Sequence, residues 1–164
     1  MTLLVPFDAS PLATNALERA SEFGDLLEEE VVVLTVIPDD AEYARDRGWI
    51  TRGEPFDRET TAEGLKARAR EVTPAATFRT ERVSAEEPTA TPTTEVVREI
   101  RRVAAEIEAS VVFIGSENAG SVIAPQSSVG SPVAKDQRYD VYVVRQPGSP
   151  ADPADVSDVD SMTE

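Results

Sequence analysis

Hydrophobic positions fall along this chain in two alternating rhythms. Leu3 to Phe7, Val31 to Ile37 and Val111 to Ile114 are short, unbroken apolar runs. Runs without polar alternation are what strands covered on both faces show, and they point to a parallel sheet. Thr77 to Val83 alternates and is rich in Thr, Phe and Val, which predicts a strand with one wetter face, and Val141 to Val144 predicts a last strand. Pro6 sits at the end of the first run, where a strand tolerates proline because the chain is about to turn.

Between these runs apolar residues recur every three to four positions, the helical spacing. Leu12, Ala16, Leu17, Ala20 and Phe23 predict a helix to about Leu26, with Ser10 as N-cap, Pro11 in the first helical position and Gly24 as its weak point. Thr61 to Val72 predicts a second helix, with Ala62, Leu65, Ala69 and Val72 on one face. A third begins at Thr93 or Thr94 and carries Val96, Val97, Ile100, Val103, Ala104 and Ile107 up to Ala109. A fourth is expected from about Ser128 to Gln137. Asp39 to Pro55 reads as irregular, and its Trp49 is expected to lid the edge of a core, with a partner site as the alternative. Ser84 to Pro92 reads as a loop. Past Arg145 the chain turns to Pro, Gly and acidic residues, so residues 147–164 are expected to be an acidic disordered tail behind one domain, residues 1–146.

Strand and helix alternate throughout. That order predicts an α/β domain, an open five-stranded, mostly parallel sheet of Rossmann-like type with helices on both faces. Ligands bind such sheets at the carboxyl ends of strands, where the strand order reverses. Three stretches distant in sequence then converge on one edge: Pro6 to Asp8, Val36 to Asp39, and Gly115 to Ser128.

Charge narrows the choice of ligand. Asp and Glu number 31 against 16 Lys and Arg, a formal net charge of −15. Such a chain repels nucleic acid and anionic membranes, and it carries no basic patch to offset that. Lys66 and Lys135 are its only lysines, and the acidic excess is spread through the helices. This is the balance of cytoplasmic proteins from salt-loving archaea, in which dense carboxylates hold water and molar salt screens their repulsion. With no cysteine and no histidine, thiolate catalysis, disulfides, the Ser-His-Asp triad and most transition-metal sites are excluded. No apolar run reaches the length of a membrane span and no secretion signal precedes the first strand, so a cytoplasmic protein is expected.

The stretch from Val111 to Ser131, VVFIGSENAGSVIAPQSSVGS, holds the candidate chemistry. A strand that stops at glycine and hands over to a helix start gathers free N–H groups around one point, which suits a phosphate. Glu117 lies inside this loop, however, and no Lys or Arg occurs between Gly115 and Ser131. A carboxylate about 5 Å from a phosphate charge, at an effective dielectric near 20, costs on the order of 3 kcal/mol. Asp8 with Glu117 as oxygen ligands to a cation is the other option, but the two form no recognised metal motif, and no metal is expected.

LLVPFDASPLATNALERA, VVVLTVIPD and the helix leading into VVFIGS resemble the universal stress protein family over about residues 2 to 146. From the composition a haloarchaeal-type member is expected, with an ordinary acidic protein carrying an acidic tail as the alternative. In the family's ATP-binding members a loop written G-x2-G-x9-G-[ST] follows the fourth strand. There an Asp after the first strand and a Val at the end of the second hold ribose and adenine. Carried over, the resemblance places Asp8 and Val36 in those roles. Gly115 matches the first glycine, and the second falls on Asn118.

Two registers fit the end of the loop. One puts Ser127 and Ser128 on the Gly-Ser pair and keeps the apolar pattern of the following helix. The other uses Gly115, Gly120, Gly130 and Ser131, and seats Pro132 at a helix start. The first is favoured, because the second would turn Asp136 and Gln137 to the core. The candidate cofactor-binding set is thus Pro6, Asp8, Val36, Ile114, Gly115, Asn118, Ser127, Ser128 and Val129. Simpler roles compete: Asp8 as a turn acid, the serines as helix caps, Val36 as plain core.

The resemblance implies a stress-response or signalling module whose ATP site is degraded, with weak or no ATP binding. Its alternative is a working ATP or AMP site in the Gly115, Gly120, Gly130 register. Without a general base or a basic phosphate clamp, an efficient enzyme is not expected, at most slow hydrolysis. Val141, Tyr142, Val143 and Val144 form an apolar strand expected at the sheet edge. Such an edge invites pairing, and the family often dimerises there, so a homodimer is expected. A protein partner recognised at the dimer surface or near Trp49 is the non-nucleotide alternative.

Overall fold

The computed structural model describes residues 1–84, 90–116 and 138–146. In chain order its elements are β1 (Thr2–Pro6), α1 (Pro11–Leu27), β2 (Glu30–Pro38), α2 (Ala41–Asp46), α3 (Arg58–Val72), β3 (Thr77–Val83), α4 (Pro92–Glu106), β4 (Val111–Gly115) and β5 (Asp140–Val144). The expected helix over 128–137 and the tail at 147–164 lie outside the described residues.

All five strands are parallel, in the order β3-β2-β1-β4-β5. The chain runs outward from β1 through β2 to β3, then returns to the other side of β1 for β4 and β5. The order therefore reverses between β1 and β4, which makes that junction the switch point. The ladder there is short, pairing Leu3 with Val111 and Leu4 with Val112. Pro6 supplies a reason. The Phe7 N–H donates to the Leu34 carbonyl on β2, so by alternation position 6 faces β4, and proline has no N–H to give.

The unbroken apolar runs are explained by cover on both faces. Leu3, Val5, Val31, Val33 and Phe113 pack with Leu12, Ala16, Leu17 and Ala20 of α1 and with Ala69 of α3. Leu4, Val32, Leu34, Val36, Val112 and Ile114 pack on the opposite face with Ile100, Val103 and Ala104 of α4. β3 and β5 are the sheet edges, and both are more exposed along their length than the inner strands.

Caps decide where the helices begin. Ser10 caps α1, its side chain accepting from the Ala13 N–H with Pro11 next in line, as expected. α3 starts at Arg58, three residues before the predicted Thr61, because Asp57 accepts from the Thr60 N–H. α4 starts at Pro92 behind Thr91, so the expected loop ends one residue earlier and its second proline opens a helix. Asp39 to Pro55 is not wholly irregular. Asp40 accepts from the Tyr43 N–H to cap the short helix α2, and Gly48, at φ 74°, turns the chain out of it.

Gly24, the weak point of α1 by propensity, is the point of closest approach. A Cβ there would lie 2.7 Å from Val31 Cγ2 and 3.1 Å from the Glu29 carbonyl oxygen, so glycine lets the helix end lie on β2.

Candidate functional site

A small cavity of about 50 Å³, opening to a wider cleft, lies at the switch point. Pro6, Phe7 and Asp8 reach it from β1 and the turn after it, Leu34 and Val36 from β2, and Ile114 and Gly115 from β4. The three stretches that the sequence sends to one edge do meet there as far as Gly115. Of the candidate residues, Pro6, Asp8, Val36, Ile114 and Gly115 line the cavity. Asn118, Ser127, Ser128 and Val129 lie outside the described residues, as do Glu117, Gly120, Gly130 and Ser131.

Both Asp8 oxygens accept hydrogen bonds. Its Oδ1 accepts from the Ser10 N–H at 3.0 Å, the local turn that a plain turn acid would make. Its Oδ2 accepts from Arg47 Nη1 at 3.0 Å, in an ion pair whose side chains are 19% and 25% exposed. The residue between them, Ala9, has φ 65°, a conformation that L residues other than Asn and Asp seldom adopt. Asp8 thus serves the turn with one oxygen and Arg47 with the other.

Arg47 was not predicted in this place. It belongs to a layer that the short helix α2 folds across the cavity. The Tyr43 ring lies 4.2 Å from the Arg47 guanidinium carbon and 5.6 Å, edge-on, from the Trp49 ring. Trp49 Nε1 donates to the Asp8 carbonyl at 2.9 Å, so the indole lids the edge of this cavity. Burial pushes the Tyr43 hydroxyl above the ordinary tyrosine value, against the opposing pull of Arg47. The signal in the sequence was an N-cap, Asp40, with Tyr43 and Arg47 four apart, which on any helix share a face. α4 closes the far side with Thr93, Val96, Val97 and Ile100.

Gly115 has a packing role of its own. A Cβ on it would lie 2.7 Å from the Leu12 Cβ, so its bare backbone is what lets α1 seat on β4. Val36 and Ile114, 6% and 2% exposed, are core residues that also line the cavity. Among the described residues no three His, Cys, Asp or Glu side chains gather to hold a metal ion, and no helix is long and apolar enough to cross a membrane.

An open parallel sheet covered on both faces, with a cavity at its switch point, places the chain among doubly wound α/β proteins. The chain belongs to the universal stress protein family, whose family model matches residues 1–145. No curated protein matches it. Among solved structures it is similar to a universal stress protein from Archaeoglobus fulgidus in complex with dAMP, at 19% identity over 88% of this chain and 98% of that one, with a TM-score of 0.54. It is also similar to hypothetical protein MJ0577, at 19% identity over 90% and 97% of the two chains, with a TM-score of 0.50. A universal stress protein in complex with cAMP is 20% identical over 88% and 97%, with a TM-score of 0.49. At these identities the likeness to the first two establishes the shared fold.

Proposed function

We propose that this chain is a stress-response or signalling module that takes an adenine nucleoside or nucleotide into the switch-point cavity, binds ATP weakly or not at all, and is not an efficient enzyme. The observation that carries the reading is the convergence of Asp8, Val36 and Gly115 on one cavity from three separate strands. Its apolar walls, Leu34, Val36, Ile100 and Ile114, suit a flat base, and Asp8 is an acceptor of the kind that a sugar hydroxyl needs. The dAMP-bound Archaeoglobus fulgidus relative supports the choice of an adenine ligand. Weak ATP binding is inferred from the loop sequence, which offers Glu117 and no cation to a chain of phosphates.

Arg47 favours a second reading, in which a cation in the cavity wall offsets part of that deficit and Gly115, Gly120 and Gly130 serve as a working ATP loop. Calorimetric titration with ATP, AMP and adenosine in molar potassium chloride separates the two. The first reading expects AMP or adenosine to bind better than ATP, and tight ATP binding refutes it. In the same proposal the protein is cytoplasmic and forms a homodimer through Val141 to Val144. That strand lies at the sheet edge and leaves Tyr142 37% exposed. A monomer in sedimentation at high salt would refute the dimer, and binding of nucleic acid or anionic vesicles would contradict the reading of the charge.

A further inference from the structure

Arg47 makes the cavity more than an apolar slot with a carboxylate. It is the one basic side chain among the described residues that line the cavity, in a chain of net charge −15. Its Nη1 holds Asp8, while its Nε lies buried with no hydrogen-bond partner among the described residues. A buried donor left unpaired costs about 1–3 kcal/mol, which an oxygen of a bound ligand would recover. Guanidinium presents Nε–H and an Nη–H side by side, spaced for two oxygens of one phosphate. The Tyr43 ring makes a cation–π contact with this guanidinium, 4.2 Å from its central carbon.

Each Asp8 oxygen already accepts one hydrogen bond, and a ligand hydroxyl that draws on Oδ2 competes there with Arg47. A neutral nucleoside that does this leaves a half-buried cation without its counter-charge, which is costly. A nucleoside monophosphate brings the replacement anion with it. We infer that Arg47 is the specificity-determining residue of this cavity, exchanging the Asp8 carboxylate for the single phosphate of a nucleoside monophosphate. The inference rests on the adenine-pocket reading above and deepens it, since it names which adenine ligand is chosen. One guanidinium serves one phosphate, and among the described residues no second cation lines the wall to hold further ones.

The test is titration of the full chain, and of Arg47→Ala and Arg47→Gln, with AMP, adenosine and inorganic phosphate in molar potassium chloride. Heat is read alongside emission from Trp49, the only tryptophan, which is tied to Asp8. The wild-type protein is expected to bind AMP roughly ten- to hundredfold more tightly than adenosine, the worth of a charge-assisted pair. Either substitution should remove that gap while adenosine binds as well as before or better. Arg47→Gln keeps most of the stem, so the comparison survives if the alanine variant fails to fold.

Equal wild-type affinities for AMP and adenosine, or a gap that persists in both variants, overturn the role of Arg47 and leave the adenine pocket standing. Inorganic phosphate binding as tightly as AMP overturns it too, because the base would then contribute nothing. If neither AMP nor adenosine binds, the inference and the adenine reading fall together.

Discussion

Replacing Gly115 with alanine puts one methyl group between β4 and α1. Its carbon would lie 2.7 Å from the Leu12 Cβ and 3.5 Å from Leu12 Cδ1. Carbon atoms rest at about 3.5–4.0 Å, so about 1 Å must be found. Leu12 Cβ is attached directly to the α1 backbone, and no rotamer moves it. The helix itself has to shift, although Leu12, Ala16 and Leu17 are packed on the sheet along its length. Forcing one methyl into a close-packed core costs about 1–3 kcal/mol, and the stiffer unfolded chain returns about 0.4–1 kcal/mol of it. The net expectation is a loss of about 1–2 kcal/mol, or a fall of about 2–8 °C in melting temperature at this chain length.

Gly64→Ala is the matched control. Gly64 sits inside α3 with nothing within 4 Å of the position its Cβ would take. There the same substitution removes only backbone freedom, and should add about 0.5–1 kcal/mol. Thermal and urea unfolding of both variants at one molar salt concentration, followed by circular dichroism, gives the comparison. Opposite signs are expected. A Gly115→Ala protein as stable as the parent would mean that α1 does not approach β4 as closely as described, and would return Gly115 to a purely ligand-facing role.

Three further outcomes are expected. Phe113, 2% exposed and ringed by Tyr142 at 5.0 Å and Phe23 at 5.5 Å, should cost about 3–5 kcal/mol as Phe113→Ala in urea unfolding; a loss below 1 kcal/mol would refute its central place. Asn15 donates from Nδ2 to the Gln146 carbonyl at 2.8 Å, so Asn15→Ala should lose about 1 kcal/mol and speed amide exchange in β5, and unchanged exchange there would contradict the tie. Stability should narrow at both pH extremes. The Thr60 hydrogen bonds hold Asp57, and Arg79 and then Arg102 hold Glu106, below the ordinary carboxylate values, so their contribution is complete above about pH 4.5 and disappears as the pH falls through the folded-state values. Tyr43 is raised by burial, so its contribution is complete below about pH 10 and is lost above it, and Tyr43→Phe should flatten the alkaline limb of a pH–stability curve.

Local pattern alone determined most of the scaffold. A strand buried on both faces must be apolar at every position, so β1, β2 and β4 announced themselves, and Ser10 followed by Pro11 marked the start of α1. The sequence also brought Asp8, Val36 and Gly115 to one edge, because parallel strands joined by helices all end on the same side. What it left unread depends on contacts between distant segments. Arg47 reaches Asp8 across 39 positions and Trp49 reaches it across 41, and no periodicity in either segment encodes that meeting. Gly115 reads as a ligand-facing glycine in the chain, and only the seating of Leu12 against it gives it a packing role as well. Periodicity reports which face of an element is buried, because burial repeats with the turn of the backbone. It does not report what covers that face, which is decided when the short helix α2, the turn at Asp8 and the end of β4 occupy the same space.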